Sequence, residues 1–181
     1  MPDPIVVVPY DPKWSGLFME LGMALCEVLS ETALRIDHIG STAIPGLDAK
    51  PIIDVQISVA SLEPLHAYRI PIESLGFVFR ANNPDLSKRY FREKPGKRRT
   101  NVHVRRAGSW GEQGALLFRD YMRAHDKDAR RYADLKHGLA ARYRDDRSSY
   151  TNSKDTFIWE IISKAHKWSQ EVGWNPGTRD A

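Results

Sequence analysis

The chain has 181 residues and a mass of 20.7 kDa, enough for one domain, and its 41% hydrophobic and 10% aromatic content can fill a sizeable core. Charged residues at 28% sit near the globular average, which excludes a mostly disordered chain. No apolar run approaches the roughly 18–20 residues of a membrane-spanning helix, the first residues lack a basic stretch and a small-residue cleavage site, and the single cysteine, Cys26, excludes an internal disulfide and a cysteine-built zinc site. A cytoplasmic protein without membrane partners is expected.

Asp11 and Pro12 open the first predicted helix, as cap and first-turn proline, and Trp14, Leu17, Phe18, Leu21, Leu25 and Leu29 recur at the spacing of one helix face. Cys26 falls within it as a small core residue. A strand is predicted over 34–39, followed by the turn GSTAIPGL and an apolar, β-branched strand over 51–59. Ser61 opens a short helical stretch that Pro71 should break or kink. Further strands are predicted over 77–80, 88–94 and 97–106, the last two joined across Pro95-Gly96, a pair suited to a type II turn. The rest is helical: Ser109 and Glu112 form a capping box, Asp126 caps a second helix, and Asp155 starts a third that stops at Gly173. Residues 174–181 read as a frayed tail behind a single domain of residues 1–173. The order implies an α+β fold, a sheet flanked by helices with a C-terminal helical layer.

The charge is unevenly placed. Residues 86–106 hold nine Lys and Arg side chains against one acid, Glu93, for a local charge of +8, while the whole chain carries +4. Such a segment attracts a polyanion, either nucleotide phosphates or nucleic acid. Nucleic acid is the less expected partner, because Tyr90 and Phe91 fall on opposite strand faces and give no stacking platform.

Residues 36–59, IDHIGSTAIPGLDAKPIIDVQISV, carry the chemistry. Strand alternation sends Ile53, Val55, Ile57 and Val59 one way and Asp54, Gln56 and Ser58 the other. A carboxylate inside an apolar strand is costly unless it is paired or binds a metal, so Asp54 is either held by an arginine or backbone amides, or is a ligand. The Gly40-Ser41 turn favours the second reading: glycine admits close backbone approach, and exposed amides with a hydroxyl bind phosphate oxygens. With Mg²⁺ on Asp54 the pair suits a metal–triphosphate complex. Nucleotidyl transfer usually uses two carboxylates two residues apart on one strand face. Here the second position is Gln56, a weak ligand.

HIGSTAIPGL followed by KPIIDV, with FRDYMRAH at 118–125, YTNSKDTFI at 150–158 and the PYDPKW opening, resembles the GrpB family of the nucleotidyltransferase superfamily over roughly residues 8–168. The resemblance implies a nucleotidyltransferase-like mixed sheet. By position, Gly40 and Ser41 would contact the β- or γ-phosphate, and Asp54, with Gln56 beside it, would ligate Mg²⁺. His103 would replace a third carboxylate as ligand or base. Lys50 at the strand mouth and Lys154 before the last helix would contact phosphate, and Arg89, Arg92, Arg99 and Arg105 are candidates for a triphosphate or an acidic substrate. His38 braces the turn, and Arg119, Asp120 and His125 fix helix against sheet. Many members keep only the first strand Asp, and some are fused to dephospho-coenzyme A kinase. The expected function is transfer of a nucleotidyl group from a Mg–nucleoside triphosphate to a small acceptor. The rival is a catalytically degraded nucleotide- or polyanion-binding module of the same fold, which Gln56 favours.

Overall fold

The computed structural model describes residues 4–181. Strands β1 (Arg35–Ile39), β2 (Ile53–Val59), β3 (Phe77–Phe79), β4 (Lys88–Glu93) and β5 (Thr100–Arg106) make one sheet in the order β1-β2-β5-β4-β3. β2 and β5 are parallel and the other neighbours antiparallel, so the sheet is mixed. The period-2 alternation gives it two unlike faces. Val55, Ile57, Phe91, Val102 and Val104 are fully buried in the core beneath helices α1 (Lys13–Leu29) and α2 (His66–Ser74). The opposite face is polar and in register: Asp54 lies beside Asn101 and then Arg92, Gln56 beside His103 and then Tyr90, Ser58 beside Arg105 and then Lys88.

Helices α3 (Trp110–Ala124), α4 (Asp126–Arg142), α5 (Arg147–Asn152) and α6 (Asp155–Val172) form the C-terminal layer. Their core joins Tyr121, Met122, Tyr132 and Ile161 to Ile44 and Leu47 of the turn between β1 and β2. That turn is therefore wedged between sheet and helices rather than left in solvent. Among the described residues no helix is long and apolar enough to cross a membrane.

The expected α+β order is present, with corrections at particular residues. Pro12, not Asp11, is the N-cap of α1, although the Asp11 carboxylate accepts from Lys13 N–H at 2.9 Å; the hairpin closes with Lys97 N–H on Lys94 C=O at 3.1 Å and Gly96 at φ +80°. Helix α2 starts at His66, not Ser61, and runs through Pro71 to Ser74. One absent amide does not end it, because Tyr68 and Ile72 anchor both sides of the proline in the core. Asp126 lies in the first turn of α4 without making a side-chain cap; its charge still complements the helix dipole. The tail is docked, not frayed. Ala181 N–H donates to Ile36 C=O at 3.1 Å, and the Asp180 carboxylate accepts from His38 N–H at 2.9 Å and from Arg119 Nη1 at 2.8 Å.

Candidate active site

β1 runs into Gly40, whose φ of +71° and ψ of −172° belong to a region that side chains essentially exclude. Glycine is required here for a second reason: a Cβ would stand 2.6 Å from Asp54 Oδ2. The residues Ser41–Ala43 then form one 3-10 turn. His38 stacks on Phe18 with centroids 4.7 Å apart and donates from Nε2 to Thr42 Oγ1 at 3.0 Å, while Thr42 donates to Ile52 C=O at 3.1 Å. Burial pushes its pKa down to about 4. His38 is thus a neutral brace that ties the turn to the start of β2.

Asp54 sits where β1, β2 and β5 meet. Its Oδ1 accepts from Asn101 Nδ2 at 2.6 Å, and Asn101 Oδ1 accepts from the Tyr90 hydroxyl at 2.6 Å. His103 Nε2 lies 3.6 Å from the same Asp54 oxygen, with its ring stacked on Tyr90 at 5.2 Å. Burial lowers the His103 pKa despite the nearby carboxylate, so the imidazole is neutral near pH 7. Its Nδ1 is buried with no hydrogen-bond partner among the described residues.

These groups line a cleft of about 500 Å³ that also receives Lys50, Arg92, Arg99, Lys136, Arg147 and Lys154. Among the described lining residues, those six cations face one carboxylate, Asp54. Aromatic rings hold the lysines in place. Lys50 and Lys154 place Nζ 5.0 and 4.7 Å from the centroid of the buried Tyr150, and Lys136 stands 4.6 Å over Tyr132 while donating to Asp48 C=O. Burial, reinforced by the charges of Lys154 and Arg147, brings Lys50 down to about 8. Burial and Lys154 bring Lys136 down to about 7, and burial lowers Lys154 too. Three crowded, desolvated ammonium groups make a wall that an anion would relieve.

Of the predicted residues, the cleft gathers Gly40, Ser41, Lys50, Asp54, His103, Lys154, Arg92 and Arg99. Three others are elsewhere. Gln56 is completely buried, with Oε1 accepting from Arg105 Nη1 at 2.6 Å and Nε2 donating to Glu112 C=O at 3.2 Å. Its amide oxygen is therefore taken, and the metal role expected of Gln56 is corrected: it ties β5 and α3 to β2. Arg105 is occupied by the same bond, two residues along β5 from His103. Arg89 alternates to the other face and pairs with Glu63 at 2.9 Å. The +8 segment is split between both faces of the sheet, so only part of it reaches the cleft. Arg119 joins Asp120 as expected and reaches Asp180 besides, whereas His125 instead bonds Tyr121 C=O.

Asn101, Tyr90, Lys136 and Arg147 complete the cleft beyond the residues that the sequence motifs single out. Asn101 was legible as a neighbour of His103 on one strand face. The two cations on α4 and α5 look like ordinary solvated helix charges until the helices are folded over the turn.

A family model described as GrpB protein matches residues 4–164. The chain belongs to the GrpB family. It is 41% identical over 167 residues to a UPF0157 protein of Pseudomonas aeruginosa, covering 90% of this chain and 68% of that one. It is 32% identical to a dephospho-CoA kinase of Mycolicibacterium paratuberculosis, covering 96% of this chain but only 49% of the kinase. The crystal structure of GrpB from Enterococcus faecalis superposes with a TM-score of 0.84 at 34% identity, over 91% of this chain and 99% of that one. Cid1, solved in complex with its short product ApU, gives a TM-score of 0.51 at 14% identity over 75% of this chain and 43% of Cid1. That likeness concerns the fold alone, and it agrees with the nucleotidyltransferase-like mixed sheet expected for this GrpB-family chain.

Proposed function

We propose that this protein binds a nucleoside triphosphate with its phosphates in the cation-walled cleft and transfers the nucleotidyl group to a small acceptor. The observation that carries the reading is the convergence of six cations on one Gly-Ser turn and one carboxylate. A polyphosphate would restore full charge to Lys50, Lys136 and Lys154, and Arg147 would add a planar fork for its oxygens. The fold shared with Cid1 supports the reading, as does a relative named dephospho-CoA kinase, of which this chain matches about half.

Mg²⁺ is commonly held by one or two carboxylates together with substrate phosphates. Asp54, the one carboxylate among the described lining residues of the cleft, fits one ion on that pattern, and the engaged Gln56 does not fit a second. When bound, such an ion would neutralise phosphate oxygens. The rest falls to the chain's own groups. The lysines and Arg147 orient and neutralise the phosphates. The acceptor oxygen attacks the α-phosphorus, a new P–O bond forms as the bond to the β-phosphate oxygen breaks, and pyrophosphate leaves. The acceptor proton passes to His103 Nε2, which burial keeps unprotonated and so able to receive it.

Calorimetry with ATP, CTP and GTP, with and without Mg²⁺, tests this. Wild type should bind at submillimolar concentration, and Lys50→Ala with Lys154→Ala should weaken binding at least tenfold. Asp54→Asn should strengthen binding of the bare triphosphate, by removing a like charge, and weaken it when Mg²⁺ is present. Absence of nucleotide binding up to millimolar concentration would end the proposal. The Gln56–Arg105 bond favours one second reading, a cleft that holds a nucleotide without turnover; it predicts the same binding with no pyrophosphate released.

A further inference from the structure

A second cavity, of about 620 Å³, opens beside the first under the β4–β5 turn. Arg92, Arg99 and Arg147 line both cavities, and Lys94 and Lys97 complete the second one. The one carboxylate among its described lining residues, Glu93, is engaged. Glu93 accepts from Arg92 through both oxygens at 3.0 and 2.9 Å, from Thr100 N–H at 3.0 Å, and lies 3.3 Å from Arg99 Nε. The acid therefore acts as a clamp, holding two guanidinium groups side by side on the partition between the cavities. The turn is equally well defined: the Lys97 N–H to Lys94 C=O bond and the positive φ of Gly96 set the two lysines on either side of it.

Among the described residues, four cations besides Arg99 meet one already paired acid, which suits a ligand carrying more than one negative charge. A lone carboxylate would leave most of that field unanswered, whereas a phosphoryl group carries close to two charges at neutral pH and three acceptor oxygens. The partition matters as well, because a ligand in the second cavity touches the same arginines as the phosphates in the first. We infer that the second cavity is an acceptor subsite, and that the acceptor for this protein is a small molecule bearing a phosphoryl group, anchored between Lys94, Lys97 and the Glu93-clamped arginines. This rests on the nucleotide occupying the first cleft. Nucleic acid is disfavoured, since among the described residues no aromatic side chain lines the second cavity for base stacking.

Titration with inorganic tripolyphosphate separates the two claims. The full chain should show two binding events. Lys94→Ala with Lys97→Ala, both on the exposed turn, should weaken one event at least tenfold, and Lys50→Ala with Lys154→Ala should weaken the other. A single event in wild type that responds only to the cleft pair overturns the subsite while leaving the nucleotide reading intact. A single event that responds only to the turn pair removes the nucleotide reading and leaves an anion site at the hairpin. Citrate binding there as tightly as tripolyphosphate would overturn the phosphoryl assignment. A twelve-nucleotide single-stranded RNA that binds tenfold more tightly than tripolyphosphate, and loses that binding in the turn variant, would replace the small acceptor by nucleic acid.

Discussion

Lys136 is 3% exposed and Lys50 is half-buried, and neither faces a carboxylate within salt-bridge distance among the described residues. Both release their protons more easily than a solvated lysine, at about 7 and about 8 against 10.5. Between pH 7 and 10.5 the unfolded chain therefore binds more protons than the folded one, so stability should rise with pH through that window. Below pH 7 both groups are charged in both states, and the penalty of burying them is complete. Anion binding has the opposite sign, because a phosphate favours the charged lysine and its capture takes up protons. Affinity for tripolyphosphate should fall as pH rises from 7 to 9.5, by up to about tenfold per unit for each lysine that must be recharged. Lys136→Gln should flatten that fall. Isotherms at a series of pH values would check this, and a pH-independent affinity would show that the lysines do not meet the ligand.

At the level of elements, Glu112 makes one of the polar contacts that seat α3 on the sheet, beside those of Gln56 and Arg119. Ser109 caps the helix as its sequence pattern predicts, accepting from Glu112 N–H at 3.4 Å, but the Glu112 carboxylate does not complete the reciprocal box. It accepts instead from the Ser58 hydroxyl at 2.7 Å and Gly108 N–H at 2.9 Å, with 1% of the residue exposed. Glu112→Ala would leave the fully buried Ser58 hydroxyl without that acceptor, and should destabilise the fold by about 1–3 kcal/mol in urea unfolding. Glu112→Gln should recover part of the loss. A cost below about 0.5 kcal/mol would mean that apolar packing alone seats the helix. This contact shows where sequence reading stops. Alternation in β2 and β5 separated the polar from the apolar face correctly, and Gly40-Ser41 announced a close turn beside Asp54. Whether Gln56 meets a metal depends on Arg105, 49 residues away, and no local pattern reports that. Helix α5, six residues long, is too short to show a helical period, so Arg147 and the buried Tyr150 were not placed on an element.

For the whole molecule, the last eight residues close a circuit between sheet and helices. β1 is an edge strand, paired with β2 on one side only. The tail covers part of its free side through the Ala181–Ile36 and His38–Asp180 bonds, and Trp174 Nε1 donates to Asp120 Oδ2 at 3.1 Å. Asp180 also reaches Arg119, a 3% exposed guanidinium that bonds His38 C=O at 3.0 Å and pairs with Asp120 at 2.8 Å. These partners are up to 145 residues apart in the chain, the span from Ile36 to Ala181, which is why a Gly-, Asn- and Asp-containing tail reads as loose. Asp180→Asn keeps a hydrogen-bond acceptor and removes the charge, so its effect should be about 1–2 kcal/mol. Deleting residues 174–181 removes that carboxylate together with the Ala181–Ile36 and Trp174–Asp120 bonds, while Arg119 keeps Asp120, and should lower stability by about 2–4 kcal/mol. The deletion also uncovers His38 N–H and Ile36 C=O on the strand edge, groups that invite pairing with another chain. Urea unfolding measures the first consequence. Size-exclusion chromatography over a concentration series measures the second, as an apparent mass that climbs for the shortened chain and holds steady for the full one. A shortened chain equal to the full one in both assays would mean that β1 is protected by its own twist and charge, and that the tail adds nothing to the fold it lies against.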